Sequence, residues 1–196
     1  MLDQKVFNIE DKKIIVYDNL FSHQENFEIY QFICQQPFVR SNLDNTFNNN
    51  KDINIKWSCL LKGSNLISNL IDSRYRALDE LNNKKIEIFR QYINFSTTET
   101  VDMIHVDSLA GTIGAYTILH YGNFVWDKNW HGETVFYNSA ADEILHATMP
   151  KPGRVVIFDS NIPHCARPPS RLADYARYTI ATKLLVCNKT VGPGVL

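Results

Sequence analysis

No C-x-x-C pair occurs in this chain; Cys34, Cys59, Cys165 and Cys187 are scattered, so zinc-ribbon and thioredoxin-like readings lack their signature. No run of 18 apolar residues occurs, which excludes a transmembrane helix. The opening residues 1–10 show no basic segment followed by an apolar run, so no secretory signal is expected. The thiols are therefore read as reduced, in a cytoplasmic protein. Neither sign of charge is in excess: 20 Lys plus Arg face 21 Asp plus Glu, a formal net charge of -1, which argues against a globally basic nucleic-acid clamp. With 8 Gly, 7 Pro and 44% hydrophobic residues, fibrous, low-complexity and wholly disordered classes are excluded. The 196 residues suit one domain, which should bury roughly 70% of the surface its unfolded chain exposes and needs no disulfide or metal staple.

The segments that remain read as mixed, then mostly strand. Ile14-Ile15-Val16-Tyr17 is a β-like run, and Ser22-His23-Gln24-Glu25 has the form of a capping box. A helix is predicted over 22–36, stopped before Pro37, and a second over 64–82, where Leu66, Ile67, Leu70, Ile71, Leu78 and Leu81 recur near helical spacing. Residues 40–54 are polar and Asn-rich and read as a long loop or lid. Short strand-like segments follow over 86–95, 101–107, 114–121, 133–138, 144–148, 154–158 and 177–187, separated by turn formers such as Gly122-Asn123 and Pro152-Gly153. The expected fold is mostly β with supporting helices (α+β): a jelly-roll or small barrel backed by N-terminal helices. It is a single domain over 1–196, with 1–85 supplying a strand, support helices and the Asn-rich loop, and 86–196 the catalytic core.

Chemistry enters through the histidines. Three of the 6 stand two residues before a carboxylate: His23/Glu25, His105/Asp107 and His131/Glu133. Residues i and i+2 share a face on a strand and can grip one metal ion, whereas on a helix they diverge by about 200°. That demotes His23/Glu25, where Glu25 already caps a helix, and Gly132 between His131 and Glu133 marks a turn more often than a strand interior. His105-Val106-Asp107 fits best, at the end of a strand-like run and before a loop, with Val106 turned into the fold. Two His and one carboxylate on one side of an iron leave open positions, as in non-haem Fe(II) oxygenases. His164, where the run Val155–Phe158 has passed into a loop, supplies the third ligand. A keto-acid cosubstrate also needs a cation for its distal carboxylate. Arg177 and Thr179 share a strand face and can meet one carboxylate together, with Arg167 and Arg171 as competitors. His120 and His146 read as strand polar residues rather than ligands. Trp57, Trp126 and Trp130 read as core or cavity-wall aromatics, and Tyr92 as a lesser cavity candidate.

The order His105-x-Asp107, His164, Arg177-x-Thr179 resembles the 2-oxoglutarate/Fe(II)-dependent dioxygenases, on their prolyl 4-hydroxylase-like side. The resemblance runs across about residues 86–187. It takes in Tyr121-Gly122-Asn123, Trp126, the stretch from Trp130 through His131-Gly132-Glu133 to Thr134, and Pro150-x-x-Gly153-Arg154 with Phe158. Three departures stand out. Arg177 occupies a position where collagen-type prolyl hydroxylases place Lys. His131 replaces the first Gly of a Gly-Gly-Glu motif, leaving a spare imidazole near the site entrance. Lys183 stands where DNA-repair members of the superfamily carry a second Arg, which argues against nucleic acid.

The resemblance implies a double-stranded β-helix core with N-terminal helices packed on it. It implies Fe(II) held by His105, Asp107 and His164, and 2-oxoglutarate anchored by Arg177 and Thr179 with a hydroxyl from Tyr121. Ascorbate is a candidate reductant. The implied reaction hydroxylates an aliphatic C–H with dioxygen, releasing succinate and CO2. Its substrate is a prolyl or other amino-acid residue of a peptide or protein, or a free amino acid. Two alternatives stay open from the residues alone: a cupin-like metal enzyme without 2-oxoglutarate, and a non-catalytic jelly-roll binding module. The sequence leaves oligomeric state open.

Overall fold

The computed structural model describes residues 1–41, 56–61, 63, 65–108 and 112–187. Along the chain run β1 (Asp3–Ile9), β2 (Lys12–Asp18), α1 (His23–Cys34), β3 (Val39–Ser41), β4 (Lys56–Leu60), α2 (Leu66–Arg76) and β5 (Lys85–Ser96). These are followed by β6 (Ala115–Tyr121), β7 (Thr134–Tyr137), β8 (Ile144–Thr148), β9 (Val155–Asp159), β10 (His164–Ala166) and β11 (Arg177–Cys187). An 8-stranded sheet has the order β1-β2-β9-β6-β11-β5-β4-β3, and a 3-stranded sheet the order β10-β7-β8. Mostly β with two α-helices among the described residues, this is the architecture of a jelly roll. Among the described residues no helix is long and apolar enough to cross a membrane.

The large sheet is apolar on both faces, and alternation sorts its side chains. Ile15, Ile118, Val155, Ile157, Ile180 and Leu184 form one buried cluster with Ile29 and Ile33 of α1 and Ile71 and Tyr75 of α2. The residues between them, Val16, Leu119, Tyr121, Val156, Phe158 and Ala181, face the other way and join Phe136 of the small sheet in a second cluster. The side-chain period of two thus gives every central strand one helix-facing and one cavity-facing row. Along β5 the register against β11 slips between Lys183 and Leu184, so that Arg90 and Ile88 are paired and Phe89 is left over. That bulge swaps the rows: Ile86 and Ile88 face the helices before it, and Ile93 after it.

The two helices start where the sequence predicts and α2 ends earlier. Ser22 caps α1 with a complete capping box, its side chain accepting from Glu25 N–H while Glu25 accepts from Ser22 N–H. Asn65 caps α2, which ends at Arg76, and turns carry the chain on to β5. The expected strand over 101–107 is absent; among the described residues the segment meets β10 through an isolated bridge of His105 to His164 and through Asp102, which accepts from Ala166 N–H at 2.8 Å. Strands β1, β3, β4 and β10 lie outside the predicted segments. The Asn-rich segment read as a lid, apart from Arg40 and Ser41, falls outside the described residues.

Candidate active site

His105 enters the site from an irregular segment, His164 from the start of β10, and the two backbones are stitched together. His105 N–H donates to His164 C=O at 3.0 Å, and His164 N–H returns a bond to His105 C=O at 2.9 Å. Asp107 N–H donates to Ser160 C=O at 2.8 Å, which fixes the carboxylate two residues on. The side chains converge accordingly: His105 Nε2 lies 3.5 Å from Asp107 Oδ1 and His164 Nε2 lies 3.3 Å from Asp107 Oδ2. One ligand atom from each lies within 4.8 Å of the others.

The protonation pattern suits a metal. His105 Nδ1 is 2.8 Å from Met103 C=O, and His164 Nδ1 is 2.8 Å from Ile162 C=O. A carbonyl only accepts, so each Nδ1 carries the hydrogen and each Nε2 presents its lone pair toward Asp107. Burial opposes ionisation of Asp107, but the Lys183 ammonium beside it more than reverses this and holds the carboxyl well below the usual carboxylate range. Thr117 Oγ1 also donates to Asp107 Oδ2, at 2.7 Å. Two neutral imidazoles and one carboxylate are the donor set of a divalent first-row metal with open positions.

A cavity of about 550 Å³, counting its mouth, runs from this cluster along β11. Arg177, Thr179, Ala181 and Lys183 all line it, as the strand period requires. Arg177 is only 1% exposed, yet its guanidinium meets no carboxylate among the described residues. Its Nε donates to Gly132 C=O at 2.7 Å, one Nη to Thr134 Oγ1 at 2.9 Å, and its face lies 5.1 Å from the Tyr121 ring centroid. A buried, unpaired cation is costly unless an anion joins it. Beside it Thr179 Oγ1 is fully buried and has no hydrogen-bond partner among the described residues. The orphaned hydroxyl and the uncommitted guanidinium N–H groups together fit a carboxylate ligand.

Gly132 makes room for the Arg177 side chain. Its φ is +85°, and an added Cβ would come within 3.1 Å of both Arg177 Cδ and Trp126 Cζ2. Tyr121 stands one step back from the cavity: its hydroxyl is 2.8 Å from Thr134 Oγ1 and 3.0 Å from Thr148 C=O, so it braces Thr134 and the Arg177 face.

The other candidates fall elsewhere. Arg167 reaches the Tyr137 hydroxyl at 3.3 Å, and Arg171 is exposed; neither lines the cavity. His131 and Glu133 do not join the metal cluster, and the His131 carbonyl accepts from Trp126 Nε1 at 3.0 Å. His23 packs edge-on against Phe124. His120 is stacked on Phe21 in the helix-facing core, where burial pushes it down to about 3. Trp57 stands at the cavity mouth, and Trp126 and Trp130 pack edge-on against each other. Tyr92 lines the cavity, as do Asn94, Thr117, Thr134 and Lys183, which the sequence reading left out of the site. Their signal was available: each lies an even number of residues from another cavity residue on its strand, or at a strand's first position.

The model of the 2OG-Fe(II) oxygenase superfamily matches residues 91–183. Among solved structures, a prolyl hydroxylase from Trichoplax adhaerens, in complex with a hypoxia inducible factor oxygen degradation domain peptide fragment, is 18% identical. It aligns over 88% of this chain and 83% of that one with a TM-score of 0.64. A Pseudomonas putida prolyl-4-hydroxylase is 14% identical over 89% of this chain and 93% of that one, with a TM-score of 0.61. HygX from Streptomyces hygroscopicus, with nickel and 2-oxoglutarate bound, is 12% identical over 88% and 82%, with a TM-score of 0.61. No curated protein matches the sequence.

Proposed function

We propose that this chain, whose residues 91–183 match the model of the 2OG-Fe(II) oxygenase superfamily, is a dioxygenase that catalyses Fe(II)- and 2-oxoglutarate-dependent hydroxylation of an aliphatic C–H. The substrate is a prolyl or other amino-acid residue in a peptide or protein, or a free amino acid. One observation carries the reading: a buried Arg177 without a carboxylate partner among the described residues shares its cavity with His105, Asp107 and His164.

His105 Nε2, the Asp107 carboxylate and His164 Nε2 would hold the iron, and Arg177 with Thr179 would hold the distal carboxylate of the cosubstrate. When bound, iron and 2-oxoglutarate supply dioxygen activation and the two-electron oxidation that yields succinate, CO2 and a hydroxylated product. The chain's own part is orientation. The carbonyls of Met103 and Ile162 keep both imidazoles in the ligating tautomer. Gly132 C=O and Thr134 Oγ1 aim the guanidinium, and Phe158, Leu119 and Ala181 keep the inner cavity apolar. At the mouth, Trp57 and Phe95, cross-strand neighbours on β4 and β5, offer an apolar rim to a substrate side chain. A cupin-like reaction without 2-oxoglutarate would leave Arg177 with no anion, and a binding module would have no use for the triad.

The test is cosubstrate turnover with Fe(II), ascorbate, dioxygen and 2-oxoglutarate, read as succinate. The wild type is expected to form it, and His105→Ala to fall to the level of free iron. Arg177→Ala is expected to raise the 2-oxoglutarate needed for half-maximal rate about tenfold or more, the cost of a lost charge-assisted fork, with Mn(II) binding unchanged. Equal succinate from wild type and His105→Ala would overturn the assignment.

A further inference from the structure

Lys183 is the second cation on the cavity face of β11, and the proposed reaction leaves it without a task. Its side chain is 6% exposed and Nζ is in ion-pair contact with Asp107 Oδ2. Nζ also lies 3.4 Å from Thr117 Oγ1 and 5.7 Å from the Tyr92 ring centroid. Thr117 Oγ1 donates to the same Asp107 oxygen, so Oδ2, which also lies 3.3 Å from His164 Nε2, meets two protein donors while Oδ1 faces His105 Nε2. A carboxylate with one oxygen engaged in this way offers the other as a single ligand atom.

We propose that Lys183 is a positioning residue that holds Asp107 Oδ2 and sets the charge of the metal centre. It lowers the centre's affinity for the bare divalent ion and raises the loaded centre's affinity for an anionic 2-oxo acid. The reasoning is a charge count. Two neutral imidazoles, one carboxylate and one ammonium sum to zero, so a divalent ion brings the site to a net double positive charge. Without the ammonium that charge is halved. In a buried site, like charges a few ångströms apart repel strongly, and opposite charges attract as strongly. The ammonium therefore opposes metal entry and favours the dianionic cosubstrate, which meets Arg177 at its other end. Lys183 also acts inside the fold, so it carries no information about a nucleic-acid surface.

The inference rests on the metal-site reading above, and the experiment separates the two. Mn(II) and then 2-oxoglutarate are titrated calorimetrically into wild type, Lys183→Met, Lys183→Gln and Lys183→Arg, each checked for folding by circular dichroism. Either neutral variant alone suffices if the other fails to fold. The expected result is Mn(II) binding about tenfold or more tighter in the neutral variants, 2-oxoglutarate binding to their Mn(II)-loaded forms weaker by a similar factor, and wild-type behaviour in Lys183→Arg. A purely structural ion pair predicts the opposite for the metal, because a loosened Asp107 binds it less well. Neutral variants that bind Mn(II) as the wild type does, or more weakly, overturn the proposal and leave the site intact. A wild type that binds no Mn(II) overturns both.

Discussion

His131 sits at φ 58° and ψ -141°, a backbone region that residues with a Cβ occupy at a cost of about 1–3 kcal/mol. Its imidazole is exposed, and its carbonyl accepts from Trp126 Nε1. The position is built for glycine, in keeping with the motif it resembles. His131→Gly should therefore raise stability by about 1 kcal/mol after glycine's own entropy cost, an increase of about 2–4 °C in Tm for a domain of this size. A thermal melt that leaves Tm unchanged or lowers it would show that the backbone there costs histidine nothing. The neighbouring site residues differ in how readable they were. His105 and Asp107 are two apart in sequence, and Arg177 and Thr179 likewise, so local spacing reveals them. Lys183 reads as a surface charge until β11 is known to be a central strand with residue 183 on its cavity row. Thr117 reads as an ordinary strand threonine until its strand is set beside β11, where Thr117 and Lys183 are paired.

α1 is held by two devices of unequal strength. Its capping box satisfies an orphan amide at Ser22, and Glu25 extends the arrangement to Arg74 on α2 through an ion pair that is partly exposed. Such a cap contributes about 1 kcal/mol, and an exposed pair less. Ile29 and Ile33, both 0% exposed, contribute more, since truncating a buried isoleucine costs about 2–5 kcal/mol. Ser22→Ala is expected to lower unfolding free energy by about 1 kcal/mol, and Ile33→Ala by about 2–5 kcal/mol, both measured by urea titration. Comparable losses would mean that the cap, not the packing, fixes the helix. These features were legible because capping and helical spacing are local. Strand existence was legible too, from turn punctuation, in the segments that became β5, β6, β7, β8, β9 and β11. The run at 101–107 misled because its apolar residues serve a loop that docks His105 on His164 rather than a ladder. β3 and β4 flank the Asn-rich segment and gave no alternation to read.

Pairing is what local signals leave open, and here it joins the chain's ends. β2, from the first 20 residues, lies against β9, and Asp18 at its end receives Arg154 through Nε at 2.8 Å and Nη2 at 2.9 Å and Lys151 at 3.1 Å. The N-terminal region thus supplies strands to the sheet that carries the site, as well as helices. The same closure buries titratable groups, which sets the molecule's response to acid. Burial raises the Asp18 carboxyl, but Arg154 and Lys151 outweigh it and hold the group below its ordinary value. Its contribution is present above an unfolded pKa of about 4 and is lost only as pH falls through the lower folded value. His120 acts earlier. It faces Phe21 and Tyr75, no charged partner lies against it among the described residues, and burial lowers it from 6.5 to about 3. Between those values the unfolded chain binds a proton that the folded one refuses, so stability falls with pH by about 1.4 kcal/mol per unit. His146, lowered by its own burial, adds in the same direction. Urea midpoints at pH 7 and pH 4.5 should therefore show wild type losing about 2–3 kcal/mol more than His120→Leu, which keeps the core apolar and removes the titration. Parallel losses in the two proteins would mean that the fold accepts a charged His120, and the acid sensitivity would then have to come from His146 and the carboxylates.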